Sequence, residues 1–179
     1  MKLSIPELDV ALFESLAQAV RELKVLVVGD ISLDKHCFYD PDLTSPSLET
    51  GLACLAVTSR KMAPGAAGNV ARNAAALGPA EVVVIGVIGD DGEAYDLRKA
   101  LQRDSVSLDG LVVDPTRQTF TYMKLHNAHT GKEDRGRIDF VNVKPLSAET
   151  QEKIVEKVSQ FMPPADVVLI ADQAETEIG

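Results

Sequence analysis

Residues 64–78 read Pro-Gly-Ala-Ala-Gly-Asn-Val-Ala-Arg-Asn-Ala-Ala-Ala-Leu-Gly, and they are the most informative stretch of the chain. A turn of small residues runs directly into an alanine-rich segment, which predicts a helix that Gly78 and Pro79 end. The unpaired N–H groups at the start of such a helix favour an oxygen-rich ligand, and small residues let it approach the backbone. Small residues also allow a helix to pack closely on a sheet, so this stretch alone leaves both interpretations open.

Apolar, β-branched segments flank this helix, and acidic residues follow them. Residues 24–28 and 81–88 read as buried parallel strands, and residues 166–171 form a third segment of the same kind. The acidic residues just beyond the first two segments are Asp30, Asp34, Asp90 and Asp91. Because open α/β sheets bind ligands beyond the carboxyl ends of their strands, this arrangement predicts an α/β fold with its ligand crevice there.

The remaining segments alternate between helical and irregular patterns. Apolar residues at helical spacing predict further helices, which are residues 6–23 with Ser4 as a cap, 93–103, and 147–161 with a cap at Ser147. Residues 35–62 are predicted to begin as a loop, because prolines and polar residues cluster there, and to form an exposed strand over residues 53–61.

In this order, the motifs resemble the ribokinase-like (PfkB) carbohydrate kinases. The residues that carry the resemblance are Gly29-Asp30 with Asp34, and residues 64–71, 87–92, 119–124, 137–140 and 170–173. The chain is similar in particular to the bacterial branch that contains the heptose-phosphate kinases. Many members of the family have two adjacent glycines where this chain has Gly65-Ala66.

The resemblance implies a fold as well as a reaction. The fold is an α/β three-layer sandwich with a mostly parallel sheet, and a small β-sheet lid, from about residues 35–62 and 117–141, covers the sugar site. The reaction is ATP-dependent phosphorylation of a sugar or sugar phosphate, with Mg²⁺ as the metal. Residues 1–179 would form the N-terminal portion of one such kinase domain, that is, a truncated sandwich.

Candidate substrate-binding residues follow from the chemistry that such a kinase needs. Ionised carboxylates accept hydrogen bonds from vicinal hydroxyls, a side-chain amide donates and accepts, and lid cations neutralise a sugar phosphate. The residues that match these roles are Asp30, Asp34, Gly65, Ala66, Asn69, Lys124 and Arg137.

Each of these residues also has a structural alternative. Asp30 and Asp34 could cap or solvate the end of a strand, Asn69 could cap the following helix, and lid cations are often plain surface charges. Asp90 and Asp91 are predicted to be structural, because acidic residues are favoured at the start of a helix.

Composition excludes several classes of function. The formal net charge of -9 and the low aromatic content, 4% without Trp, argue against nucleic acid and anionic membranes as partners. No apolar run has the length of a membrane span, and the N-terminal residues lack a signal-peptide pattern, so we expect a cytoplasmic protein. Cys37 and Cys54 are then expected to be free thiols.

No metal-ligand or catalytic motif stands out. His126 and His129 fall in a predicted turn and His36 lies elsewhere, with no carboxylate cluster predicted near them, so we expect no metal site. The Gly-x-x-x-x-Gly-Lys-Ser/Thr phosphate loop is absent, as is the family's second signature, the Gly-Ala-Gly-Asp-like turn that carries the general base.

A sugar-binding half without the nucleotide-binding and catalytic half is therefore expected, with no catalytic residue in this chain and most ATP- and Mg²⁺-binding residues missing. The alternative is a non-catalytic module that binds a sugar or a partner through its lid, and a homodimer through the lid is a further expectation. A nucleoside kinase shares the same fold and also remains open.

Overall fold

The computed structural model of the protein describes residues 9–173. In chain order the elements are α1 (Val10–Val20), β1 (Lys24–Gly29), β2 (Ile31–Pro46), β3 (Ala53–Ala66), α2 (Ala67–Ala76), β4 (Glu81–Ile88), α3 (Gly92–Arg103), β5 (Leu111–Val113), β6 (Thr121–Asn127), β7 (Ile138–Phe140), α4 (Ala148–Phe161) and β8 (Val167–Ala171).

The central sheet is parallel throughout, in the order β5-β4-β1-β8. Its two central strands, β1 and β4, are continuous apolar runs and are largely buried on both faces. On one face Val27 and Val84 pack with α2 and α3 around Leu97. On the other face a smaller cluster around Leu26 packs against α4. The predicted three-layer α/β sandwich is confirmed.

A second sheet, in the order β3-β2-β6-β7, forms the predicted lid. β2 is its central strand, antiparallel to β3 and parallel to β6. Residues of β2 alternate between two environments, because successive side chains of a strand point to opposite faces. Leu33 and Cys37 are buried, and Lys35 reaches α3 with its Nζ 3.0 Å from Glu93 Oε1. Residues 32, 34, 36 and 38 occupy the opposite face, which we call the open face of the lid.

The predicted loop at the start of residues 35–62 is wrong. β2 continues as a strand to Pro46, because β3 and β6 supply partners on both of its edges as far as Tyr39 and β3 alone pairs with it beyond that residue. The pairing with β3 shifts between Asp40 and Ser45, so that Pro41, which has no N–H to donate, falls in the unpaired interval. Pairing between segments distant in the sequence has overridden the local turn signals.

The first helix is shorter than predicted and begins at a different cap. The carboxylate of Asp9 accepts a hydrogen bond from the N–H of Leu12 at 2.8 Å, and the helix ends at Val20. The predicted cap, Ser4, lies outside the described residues. Phe13 and Leu16 are both more than half exposed. Within residues 9–173, no helix has the length and apolar character needed to cross a membrane.

The predictions for the other helices are confirmed. Asp91 caps α3, and Ser147 caps α4 through the N–H of Thr150. α2 ends just before Gly78, whose φ of 77° is the left-handed conformation that ends many helices. At the other end of α2, Ala66 has φ 49° and ψ -127°, a conformation that glycine adopts far more readily than alanine.

Replacing Ala66 with glycine should stabilise the fold. Glycine relieves the strain of the positive φ in the folded state, and it also raises the conformational entropy of the unfolded chain. Because the first effect is the larger in free energy, the free energy of unfolding should rise by about 1 kcal/mol. The matched control is Ala76→Gly, an exposed helical position where glycine should cost about 0.5–1 kcal/mol. Urea unfolding of both variants is the measurement, and a loss in Ala66→Gly equal to that of the control would contradict the strain.

Strand β8 is an edge of the central sheet, and its outer residues should drive self-association. Ile170 is 82% exposed and Val168 is 38% exposed on an edge with unpaired backbone groups, which is a template for pairing with another chain. We expect Ile170→Lys to lower the weight-average mass in light scattering without loss of cooperative melting. Tyr95→Lys, at an exposed position on α3, should leave that mass unchanged. Equal effects of the two substitutions would show that the edge is not responsible.

Candidate functional site

The site lies where β1 leaves the central sheet and the chain enters the lid. Asp30 occupies this crossing point. Its N–H donates to the carbonyl of Ala171 at 3.1 Å, and its own carbonyl accepts from the N–H of Ala67 at 2.7 Å. Its carboxylate accepts from the N–H of Gln173 at 2.8 Å. Asp30 therefore joins the ends of β1 and β8 to the start of α2, and one of its carboxylate oxygens has a structural partner.

Asp34 lies on the open face of the lid, beside the small-residue turn. Its Oδ1 is 3.3 Å from the ammonium of Lys124, and a side chain at Gly65 would lie 3.2 Å from its Oδ2. The same side chain would overlap the hydroxyl of Ser32. A glycine at position 65 thus lets the turn approach both residues closely.

Ser32 is the residue that sequence reasoning missed. Its side chain is 2% exposed, and its Oγ is a buried polar atom without a hydrogen-bond partner among the described residues. Buried hydroxyls are normally paired, so this one is available to a ligand. The signal was present in the sequence, because Ser32 is two residues before Asp34 and therefore shares its face of the strand.

Two adjoining hollows open at this crossing point. The larger, of about 200 Å³, lies between the carboxyl ends of β1 and β4, residues 117–120 and α4. The smaller is lined by Asp30, Ser32 and Ala66, together with Phe120, Tyr122 and Gln173. The two share Asp30, Ile31 and Phe120. Polar groups of the central sheet and an aromatic wall from the lid therefore line one crevice at the carboxyl edge of the sheet.

Two other predicted residues take different positions. Asn69 lies in the first turn of α2 with its side chain exposed. Its predicted alternative role as the cap of this helix is wrong, because Ala66 occupies the cap position and makes no side-chain hydrogen bond there. Arg137 forms a two-pronged ion pair with Asp139, at 2.7 and 2.8 Å, and lies 4.8 Å from the ring centre of Tyr122. Arg137 is therefore held at the Tyr122 end of the lid.

Asp91 has the predicted structural role and a second one besides. Its carboxylate accepts from the N–H of Ala94 at 2.7 Å and from both the N–H and the hydroxyl of Thr119 at 2.8 Å. The Thr119 hydroxyl in turn accepts from the N–H of Gly89 at 3.0 Å. Burial would raise the pKa of Asp91, but the hydrogen bonds from Thr119 and Ala94 outweigh it and lower the pKa below its ordinary value. Through its hydrogen bonds with Thr119, Asp91 thus stabilises the segment just before β6.

The histidines are less isolated than the sequence predicts. His129 Nε2 lies 3.3 Å from Asp40 Oδ1 and 3.8 Å from Asp42 Oδ2, so the expectation that no carboxylates accompany it is wrong. These three groups are close enough to hold a cation, yet Asp42 and His129 are exposed, and exposed acidic groups commonly gather without an ion. The pairing of β2 with β6 causes this proximity, because it places the far ends of both strands together.

Residues 22–177 match a protein family described as "pfkB family carbohydrate kinase". The chain belongs to the pfkB family of carbohydrate kinases. Over 163 residues, or 91% of its length, it is 34% identical to the bifunctional protein HldE of Rhodopseudomonas palustris (strain BisA53). The match covers 32% of that protein, so the chain spans about a third of the length of this curated relative.

Solved structures of pfkB-type kinases share the fold at low sequence identity. A carbohydrate kinase from Agrobacterium tumefaciens superimposes with a TM-score of 0.58 at 19% identity, over 83% of this chain and 45% of that one. Ribokinase of Arabidopsis thaliana, solved with ribose and ATP, gives 0.52 at 19% identity, over the same shares. The ribokinase-like fold inferred from the motifs is confirmed.

Asp91→Asn should lower stability by about 1–2 kcal/mol, because an amide cannot accept all the hydrogen bonds that the carboxylate accepts. The pKa of Asp91 is lower in the folded protein than in the unfolded chain. Its contribution to the free energy of unfolding is therefore complete above its pKa in the unfolded chain, and it is lost as the pH falls through its pKa in the folded protein. The melting temperature of Asp91→Asn should therefore lie below that of the parent by the largest amount at pH 7, and this difference should shrink below about pH 4. Asp90→Asn, at the exposed neighbour, is the control and should melt like the parent at both pH values.

Proposed function

We propose that this chain supplies the sugar-binding part of an ATP-dependent carbohydrate kinase, and that a sugar phosphate of the heptose class is its ligand. The observation that carries the proposal is the group formed by Asp34, Lys124 and Ser32 next to the Gly65 turn. This group combines an acceptor for hydroxyls and a cation for a phosphate with an unpaired buried hydroxyl, that of Ser32, which lines the smaller hollow of the crevice.

Each residue has a definite task in this proposal. The carboxylates of Asp34 and of Asp30, which lines the crevice, accept hydrogen bonds from neighbouring sugar hydroxyls. Ser32 contributes its hydroxyl, and Asn69 binds at the entrance from the first turn of α2. Lys124 neutralises the phosphate, with Arg137 as a second cation farther along the lid. Family membership and the similarity to HldE support these assignments.

Phosphoryl transfer requires more than this group. A kinase must also hold the nucleotide with Mg²⁺ and provide a base or its equivalent for the attacking hydroxyl. We assign none of these tasks to the described residues, since the sequence lacks the Gly-Ala-Gly-Asp-like turn that carries the general base in the family. ATP and Mg²⁺ would bind to the remainder of a complete pfkB fold, for which the ribokinase solved with ATP is the structural parallel.

Calorimetric titration of a heptose monophosphate into the 179-residue polypeptide tests this proposal. The parent should bind, and Asp34→Asn should weaken binding about ten- to a hundredfold, because a charged hydrogen-bond partner contributes about 1.5–3 kcal/mol. Asp91→Asn is the matched control, because it should lower the melting temperature while keeping the affinity. Incubation with Mg²⁺ and ATP should yield no phosphorylated product.

Three outcomes would contradict the proposal. Equal losses of affinity in the two variants would mean that the crevice is misplaced. No binding by a folded parent chain would remove the sugar-binding assignment itself. Turnover that copurifies with the polypeptide would show that the catalytic groups lie within it.

A further inference from the structure

Two histidines meet on the open face of the lid, although 90 residues separate them in the sequence. His36 of β2 and His126 of β6 place Nδ1 and Nε2 2.8 Å apart, with their rings stacked at a centroid distance of 5.0 Å. Phe38, also on β2, stacks on His126 at 5.0 Å. The pair therefore connects two strands by a hydrogen bond and by ring contacts.

The surroundings of the pair decide where its protons lie. His126 Nδ1 is buried and has no hydrogen-bond partner among the described residues. A proton on that nitrogen would be a buried donor without an acceptor, which costs about 1–3 kcal/mol. In the neutral pair the proton of His126 therefore lies on Nε2 and is donated to His36 Nδ1, and His36 carries its own proton on Nε2.

An additional proton cannot enter this arrangement without disrupting it. If His36 Nδ1 accepts the proton, His126 Nε2 has to become the acceptor, and its own proton moves to the buried Nδ1. If His126 accepts the proton directly, the same buried Nδ1 carries it. In both cases a charged pair contains an unpaired buried donor, and opening the contact to water removes this cost.

Charges around the pair act in both directions. The charged groups that face it from β2, β3, β6 and the following turn are Asp34, Lys61, Lys124 and Glu133. Burial first, and then Lys124 and His126, lower the pKa of His36, while Asp34 and Glu133 raise it, and the net effect is a pKa below the ordinary value. The neutral state is therefore the stable one near pH 7.

We propose that the contact between His36 and His126 is an acid-sensitive latch, which holds β2 against β6 when neutral and releases the open face of the lid when protonated. Because the folded-state pKa of His36 is lowered, this stabilisation is complete above the pKa of the unfolded chain and lost as the pH falls through the folded value. Asp34 lies two residues before His36 on β2, and Lys124 lies two residues before His126 on β6. Loss of the latch would thus disturb the sugar-binding group, a consequence that rests on the proposed function.

Side-chain ¹⁵N NMR and amide hydrogen exchange test the latch without any ligand. At pH 7.5 both rings should show the Nε2–H tautomer, and on acidification the His36 ring should titrate below the ordinary histidine range. Relative to the intrinsic exchange rate at each pH, amides of the paired parts of β2 and β6 should lose protection over the same pH interval, while those of β1 and β4 should not. Titration of His36 at the ordinary value, or unchanged protection in the lid, would overturn the proposal.

Two variants complete the test. His36→Phe with His126→Phe keeps ring stacking but removes the titrating groups, so the protection of lid amides relative to their intrinsic exchange rates should no longer depend on pH between 7.5 and 5. His129→Gln removes the histidine that pairs with Asp40 and should retain the parent's profile in the central part of both strands. A double variant that keeps the parent's pH profile would contradict the latch.

Binding provides the connection to the proposed function. An unphosphorylated heptose is the probe, because a phosphate would itself titrate near pH 6. Its affinity for the parent should fall by up to about tenfold per pH unit below the folded pKa, and the Phe double variant should not show this fall. Absence of binding of both this heptose and its monophosphate at every pH, with the exchange result intact, would refute the proposed function and leave the latch standing. A pH-independent affinity would refute the link between latch and site.

Discussion

The crossing of the chain at Asp30 is the constraint on which the rest of this structure depends. Within one residue the chain leaves the central sheet and enters the lid, and the backbone of Asp30 is hydrogen-bonded on both sides, to Ala171 and to Ala67. The first bond keeps β1 beside β8, and the second places the start of α2 at the base of β2. Both sheets therefore meet at one point, and the crevice opens there, with Asp30, Ile31 and Phe120 lining both of its hollows.

The lid is attached to the central sandwich at two further places. Lys35 extends from the buried face of β2 to Glu93 on α3, and Asp91 binds Thr119 just before β6. Both contacts involve α3 or its cap, so one helix attaches the lid to the sandwich at two places. Neither contact involves Asp34 or Lys124 directly. Acidic residues at similar places in the sequence, Asp34 and Asp91, therefore have different surroundings.

Local sequence patterns predicted much of the fold correctly. The apolar runs of β1, β4 and β8, the caps at Asp91 and Ser147, and the end of α2 at Gly78 all depend on nearby residues, and each is where the sequence placed it. The prediction failed at β2, where Pro41 and its polar neighbours read as a loop. A strand that pairs with a distant segment on either side of such residues tolerates them when a register shift leaves them unpaired. No local pattern contains that information.

The sequence by itself determined the family, the layered α/β class and the residue types at the site, because motif order and apolar periodicity are properties of the chain. Only the tertiary structure decided which of these residues meet. Asp34 and Lys124 are 90 residues apart, as are His36 and His126, and both pairs exist because β2 and β6 run parallel in one register. Two parallel strands need a long connection, and here α2, β4 and α3 lie between them. The partners of each side chain follow from the packing of that intervening segment, which the spacing of residues along the chain does not specify.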